Sequence, residues 1–310
     1  MLTSPALLFW LGGLLAWVWA HGGFTGPASG WQALQRAWTR ALAGTTSLAQ
    51  ALLAVLALLL VLGASRIAET CTPAVLRLLE GYWPRWARPL RSTLVAVRGF
   101  FIGRRAERWR ALARRRAQLT PAERAEYAAL NTRRALVPAV PEERMPTGLG
   151  DVLKAAESRP RHRYGLDSVV CWPALWLTMP DHARVEVAAA RERLDEGARL
   201  WLWSVLFAVW AVFTWWALVV APAGMAAGYR LAAAGSVSYG QLVDACFDLY
   251  RDELYRGVGW EPPSGPAGEQ AAGRRLTTYL ERGAVPLSEP VRTPVPPPVT
   301  GSPPRDGDPS

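Results

Sequence analysis

The chain has 310 residues, 51% of them hydrophobic, and a formal net charge of +10. Its apolar residues stand in blocks separated by arginine-rich segments, which excludes one large soluble core. Segment 66–163 holds 20 arginines and Lys154 against 9 acidic residues, a net +12 that leaves the remainder at −2. Such one-sided charge calls for an anionic partner, and for a membrane protein the nearest one is the inner face of its own bilayer. Arginine supplies 34 of the 35 basic residues; that bias reads as codon usage and defines no site. Cys71, Cys171 and Cys246 form neither a CxxC pair nor a metal spacing, so no disulfide framework is implied.

The first apolar run, 6–20, reads as a span or a signal peptide. The basic n-region of a signal peptide is missing, which favours an uncleaved span. Ser29 can cap a short helix in which Trp31, Leu34, Trp38 and Leu42 recur opposite Arg36 and Arg40, a pattern for a helix lying on the outer membrane surface. A plain connector is the other reading. Run 48–64 is the next span, and Arg66 follows at once. By the positive-inside rule the side after this helix is cytoplasmic, the preceding loop is outside and the N-terminus is inside.

From Pro73 a separate short apolar helix is expected around Val75, Leu76, Leu78 and Leu79. Tyr82-Trp83-Pro84-Arg85-Trp86 interrupts it, a mixture suited to the headgroup layer. Run 94–102 is broken by Arg98 and is too short to cross. Segment 104–116 is a basic amphipathic helix with Ile102, Trp109, Leu112 and Leu119 on one face. Its Arg104, Arg105, Arg108, Arg110, Arg114, Arg115 and Arg116 are candidate contacts for anionic lipid. At about 1 kcal/mol each, four or five would hold the segment to a membrane. A bundle helix that packs Trp109 against a neighbour is the competing reading. Nucleic acid is disfavoured, because a positive helix without a recognised motif is a weak signal for it.

Thr120-Pro121-Ala122-Glu123 starts a helix with a capping-box pattern. A proline-containing linker, 137–146, follows, and Thr147 caps the next helix. Run 169–179 is apolar but short, which fits an interfacial, re-entrant or buried segment. Pro180-Asp181 begins a helix that can continue unbroken into 200–220, about 20 residues with no charge and with Trp201, Trp203, Trp215 and Trp216 near its ends. That run reads as a membrane span. Ala221-Pro222 is expected to turn outside, and 223–235 to return as a weak span. Gly224 and Gly228 form a GxxxG that would let the return pack closely on the tryptophan-rich helix. Ser238 is expected to cap an acidic amphipathic helix that can dock on the basic region. A last helix over 274–282 ends at Gly283, and the proline-rich tail 284–310 reads as disordered or polyproline II.

The best catalytic grouping is Cys171 with His162 or His182 and Asp167 or Asp181, since a thiol nucleophile needs a neighbouring base. Cys171 lies in an apolar run, where a thiol is usually inert packing. No phosphate-binding glycine loop, HExxH or GxSxG is present. No catalytic, cofactor or metal residue is assigned.

Met145-Pro146-Thr147-Gly148-Leu149-Gly150-Asp151, Arg163-Tyr164-Gly165-Leu166-Asp167 and Cys171-Trp172-Pro173-Ala174-Leu175-Trp176 before a tryptophan-rich span resemble a group of uncharacterised bacterial, actinobacterial-type multi-pass membrane proteins. The resemblance covers about 81–255 and implies no activity, cofactor or functional residue.

The expectation is thus an all-α, multi-pass cell-membrane protein with about four transmembrane helices and both termini cytoplasmic. It divides into a helix pair (1–65), a basic membrane-associated region (66–198), a transmembrane hairpin (199–236), cytoplasmic amphipathic helices (237–283) and the tail (284–310). The favoured function is a non-catalytic scaffold or adaptor that contacts anionic phospholipid and recruits a cytoplasmic protein. An oligomeric pore or transport-complex subunit, built as a homo-oligomer, is the alternative. A membrane-surface enzyme using Cys171 ranks below both.

Overall fold

Several helices start where the sequence supplies a side-chain acceptor for their first free amides. In a computed structural model, which describes residues 5–25 and 29–283, Ser29 Oγ accepts from the Gln32 amide at 3.4 Å and Thr147 Oγ1 from the Gly150 amide at 3.0 Å. Thr120 and Glu123 cap each other reciprocally. The described residues form an all-α protein without strands. Its helices are α1 (Pro5–Ala20), α2 (Gly30–Leu42), α3 (Ser47–Glu80), α4 (Arg88–Arg114), α5 (Pro121–Ala135), α6 (Gly148–Tyr164), α7 (Ser168–Thr178), α8 (Asp181–Phe207), α9 (Ala217–Gly257) and α10 (Pro266–Arg282). The proline-rich tail lies outside the described residues.

The frame is the antiparallel pair α8 and α9, which meet along small residues. A Cβ on Gly197 would lie 2.3 Å from the Ala232 amide nitrogen, and one on Gly228 would lie 2.6 Å from that of Trp201. Gly224 meets the Ser204 side chain and Gly235 the Leu194 backbone. The proposed glycine pair, Gly224 and Gly228, therefore faces α8, with Gly197 and Gly235 extending the seam.

This pairing changes the expected hairpin. Run 200–220 is not one straight helix: α8 ends at Phe207, a 3-10 turn covers Ala208–Val212, and the chain reverses at 213–216. The turn falls where the small-residue register requires it, inside the apolar run, instead of at Ala221-Pro222. Pro222 sits within the first turns of α9 and costs one backbone hydrogen bond without ending the helix. Nor does Ser238 start a helix, because nothing between 223 and 257 interrupts α9, whose 41 residues extend roughly 60 Å. The other junction holds, since α8 runs from Asp181 into the apolar segment without a break.

A similar continuity joins the 48–64 run to the helix expected after Pro73. Both belong to α3, which passes through Pro73 and stops at Gly81, whose φ of 103° suits a residue without Cβ. Two helical stretches, Ser47–Arg114 and Ala217–Gly257, are long and apolar enough to cross a membrane. Leu52, Leu53, Leu56, Leu58 and Leu60 are all exposed, and their spacing puts them on different sides of the helix, so α3 shows apolar side chains around its circumference. Helix α1 lies beside the hairpin, with Phe9 on Trp203 and Trp210 and with Gly12 and Gly13 against Phe207 and Trp210.

The far half of α9 carries the main core. Cys171, Leu175 and Met179 of the 169–179 segment are buried with Phe247, Leu254, Tyr255 and Leu276, so one face of this short helix is packed in the core, while Val169 and Leu177 on its other side are exposed. The acidic side of α9 docks on α6: Asp244 pairs with Arg159, and Asp248 accepts from Arg163 at 3.0 Å and from the Tyr164 hydroxyl at 2.5 Å.

Gly197→Val is expected to destabilise the protein by roughly 2 kcal/mol, because the added methyls meet backbone that cannot yield. Gly63→Ala, which adds a Cβ in open space, is expected to be neutral. Unfolding in mixed detergent micelles measures both; equal stability of the two variants would contradict the close seam.

Candidate functional site: an arginine-lined cleft

Helices α4 and α5 form a second antiparallel hairpin. Arg108 donates to both carboxylate oxygens of Glu126 at 2.9 and 2.8 Å, Arg115 pairs with Glu123 at 3.2 Å, and the Trp109 ring stacks on Tyr127 with centroids 5.9 Å apart. The Arg134 guanidinium covers the indole at 4.2 Å. Trp109 is therefore packed against a neighbouring helix, which is the bundle reading of this segment.

This hairpin is fixed to the frame by the Met145–Asp151 motif, through one buried carboxylate. Asp151 is fully buried, accepts from Arg98 of α4 at 2.5 Å, and accepts from the Met145 amide at 2.8 Å. Thr147 adds a bond from its hydroxyl to the Glu80 carbonyl at 3.0 Å, so the end of α3 is held by the same turn. Gly150 is required there, since a Cβ would come 2.0 Å from the Glu80 carbonyl oxygen.

Between α4, α5, the linker and α6 lies a cleft of about 500 Å³. Arg105, Arg110, Arg133, Arg134, Arg144 and Arg159 line it, with His162 at its edge, and no carboxylate does among the described residues. Arg159 is paired with Asp244, and His162 lies 3.5 Å from Glu143. The Trp109 indole nitrogen and the Arg144 Nε are buried in this region without a hydrogen-bond partner. Unpaired donors and concentrated positive charge are what a multivalent oxyanion satisfies, and they offer nothing to a cation. A volume in this range is also that of a small-ligand site.

The seven arginines of 104–116 thus separate. Arg105 and Arg110 line the cleft, Arg108 and Arg115 are held by α5, and Arg104 lies 5.7 Å over the Phe100 ring. Arg114 and Arg116 are exposed. Arg133, Arg134, Arg144 and Arg159 were not singled out from the sequence, because they come from three further elements and share no spacing.

No family model, curated protein or solved structure matches the chain.

The Cys171 grouping is not assembled as a catalytic centre. The thiol is fully buried, and its polar neighbour is Thr277 Oγ1 at 3.7 Å. Burial pushes its pKa up to about 11, so it stays protonated at neutral pH. Asp167 caps α7 by accepting from the Val169 and Val170 amides, Asp181 pairs with Arg184, and His162 faces Glu143. Iodoacetamide at pH 8 is accordingly expected to modify exposed Cys71 and to leave Cys171 and Cys246 intact until the protein is denatured. Alkylation of Cys171 as fast as Cys71 would return it to the list of nucleophiles.

Proposed function

We propose that this protein is a non-catalytic integral membrane scaffold that binds the phosphate of an anionic phospholipid in the arginine-lined cleft. The observation that carries the reading is a cleft with six arginines and no lining carboxylate among the described residues, next to helices apolar enough to enter a bilayer. In this arrangement α1, α3 and the α8–α9 hairpin are the membrane-embedded elements, four apolar helices in all. The cleft, α10 and both termini lie on the cytoplasmic side. Arg66, at the end of the apolar part of α3, supports that orientation.

The exposed surface of α4 supports a position at the inner face. Leu90, Val97 and Phe101 recur at helical spacing on its outside, Trp86 stands exposed just before it, and Arg104 continues the row. An apolar stripe ending in arginines is suited to the boundary between acyl chains and headgroups. Here the lipid-facing residues are apolar, and the arginines behind them receive the headgroup.

Each arginine near an anionic surface contributes about 1 kcal/mol, so replacing Arg105, Arg133 and Arg144 by Gln is expected to weaken binding of short-chain phosphatidylglycerol roughly a hundredfold. Binding by the parent should also fall as salt rises. Titration of the purified protein in a neutral detergent measures both effects, with short-chain phosphatidylcholine as the comparison. Equal affinity for the two lipids, or no loss in the triple variant, would overturn the reading.

A further inference from the structure

We infer that the α8–α9 hairpin enters the bilayer from the cytoplasmic side and ends inside it, so that its tip contacts lipid acyl chains and never reaches the outer water. This rests on the membrane reading above and adds a depth to it.

The first argument is length. Arg199 and Arg230 stand level at the base of the hairpin, because Trp201 faces Gly228 and Gly197 faces Ala232. From there to the reversal the chain has one α-helical segment ending at Phe207 and the short 3-10 turn, which together rise roughly 20 Å. The hydrocarbon is about 30 Å thick.

The second argument is register against a helix that is long enough. Leu194 and Ala198 pack with Val75, Leu76 and Leu79, and Trp203 packs with Ala68, Ala64 and Val61. Continued at the helical rise, these two sets of contacts bring Thr214 beside roughly residues 53–59 of α3, inside its apolar run. Roughly ten residues of α3, about 15 Å, extend beyond the tip. If α3 crosses, the hairpin stops near the midplane.

The third argument is the chemistry of the tip. Residues 208–220 contain no Gly, Pro, Asn, Asp or charged residue. Val209, Val212 and Trp215 are 60%, 84% and 71% exposed. Leaving such side chains in water forfeits roughly 1.5–3 kcal/mol each. The hydroxyl of Thr214 turns inward and bonds to the Trp210 carbonyl at 3.5 Å. Trp216 packs on Phe207, and the Trp210 indole nitrogen is buried without a partner. The Trp210 ring is thus not used as an interfacial tryptophan is, with its N–H in the wet layer. Inside hydrocarbon the tip needs no polar residue, because the reversal is made by helical and 3-10 bonding with its amides largely satisfied internally.

A hairpin of this depth occupies area in the cytoplasmic leaflet alone. Its test is cysteine accessibility in the full-length protein carrying Cys71→Ala, using a membrane-impermeant maleimide on spheroplasts of an expressing bacterium. Gln35→Cys on α2 reports the outside and Glu281→Cys on α10 the inside. Val212→Cys is expected to resist the reagent in intact spheroplasts and after inner-face access is opened, and to react once the membrane is dissolved. Labelling of Val212→Cys from outside would show that the hairpin crosses; labelling from inside would show that it lies out of the bilayer. Either overturns the inference. Failure of Gln35→Cys to label from outside would instead overturn the spanning arrangement. Val209→Cys, on the same exposed tip, reads the same depth if Val212→Cys does not accumulate.

Discussion

The backbones of α8 and α9 touch, and most of the molecule is placed by that contact. At Gly197, Gly228 and Gly235 there is no room for a Cβ, so the helices approach until main-chain atoms meet. The approach fixes one register. It puts the chain reversal at 213–216 and turns Leu194 and Ala198 toward Val75, Leu76 and Leu79 of α3. It also carries α9 far enough beyond the hairpin to organise α6, α7 and α10 around Phe247, Leu254 and Tyr255. From α6 the order passes through Asp151 to Arg98 and so to the α4–α5 pair and its cleft.

Charge is handled by division of labour. Some arginines serve the fold: Arg98 neutralises a buried carboxylate, Arg108 and Arg115 join α4 to α5, and Arg159 and Arg163 dock α6 on α9. The exposed pairs contribute little each, whereas loss of Arg98 would leave Asp151 buried and uncompensated at a cost of roughly 3–5 kcal/mol. Arg105, Arg110, Arg133 and Arg144 have no such ion pair among the described residues, and their mutual repulsion opposes the fold. Under the proposed anion binding, binding and stability are linked, and an occupied cleft should make α4 and α5 harder to unfold.

Local features were readable in the sequence. The Ser29, Thr120 and Thr147 caps, the stop at Gly283 and the continuity of α8 across residue 200 all follow from short patterns. What could not be read was set by partners distant in the chain. The reversal at 213–216 carries no turn residue and exists because Gly228 and Gly197 pair. Pro73 and Pro222 look like breaks, yet both lie within unbroken helices, α3 and α9. The cleft joins arginines from α4, α5, the linker and α6, and no spacing along the chain reports that meeting. Segment 104–116 looked uniformly basic, but which arginines remain unpaired depends on Glu123 and Glu126 across the hairpin.

The measurement that bears most directly on this account is disulfide trapping across the seam in the Cys71→Ala background, with Ser204→Cys paired with Gly224→Cys. The Gly224 Cβ direction meets the Ser204 side chain, so mild oxidation should link the two positions rapidly within one chain. Ser204→Cys with Ala227→Cys, on an exposed face of α9, should remain open. Linkage of the second pair in preference to the first, or linkage only between chains, would contradict the register on which the hairpin depth, the core around α9 and the position of the cleft all depend.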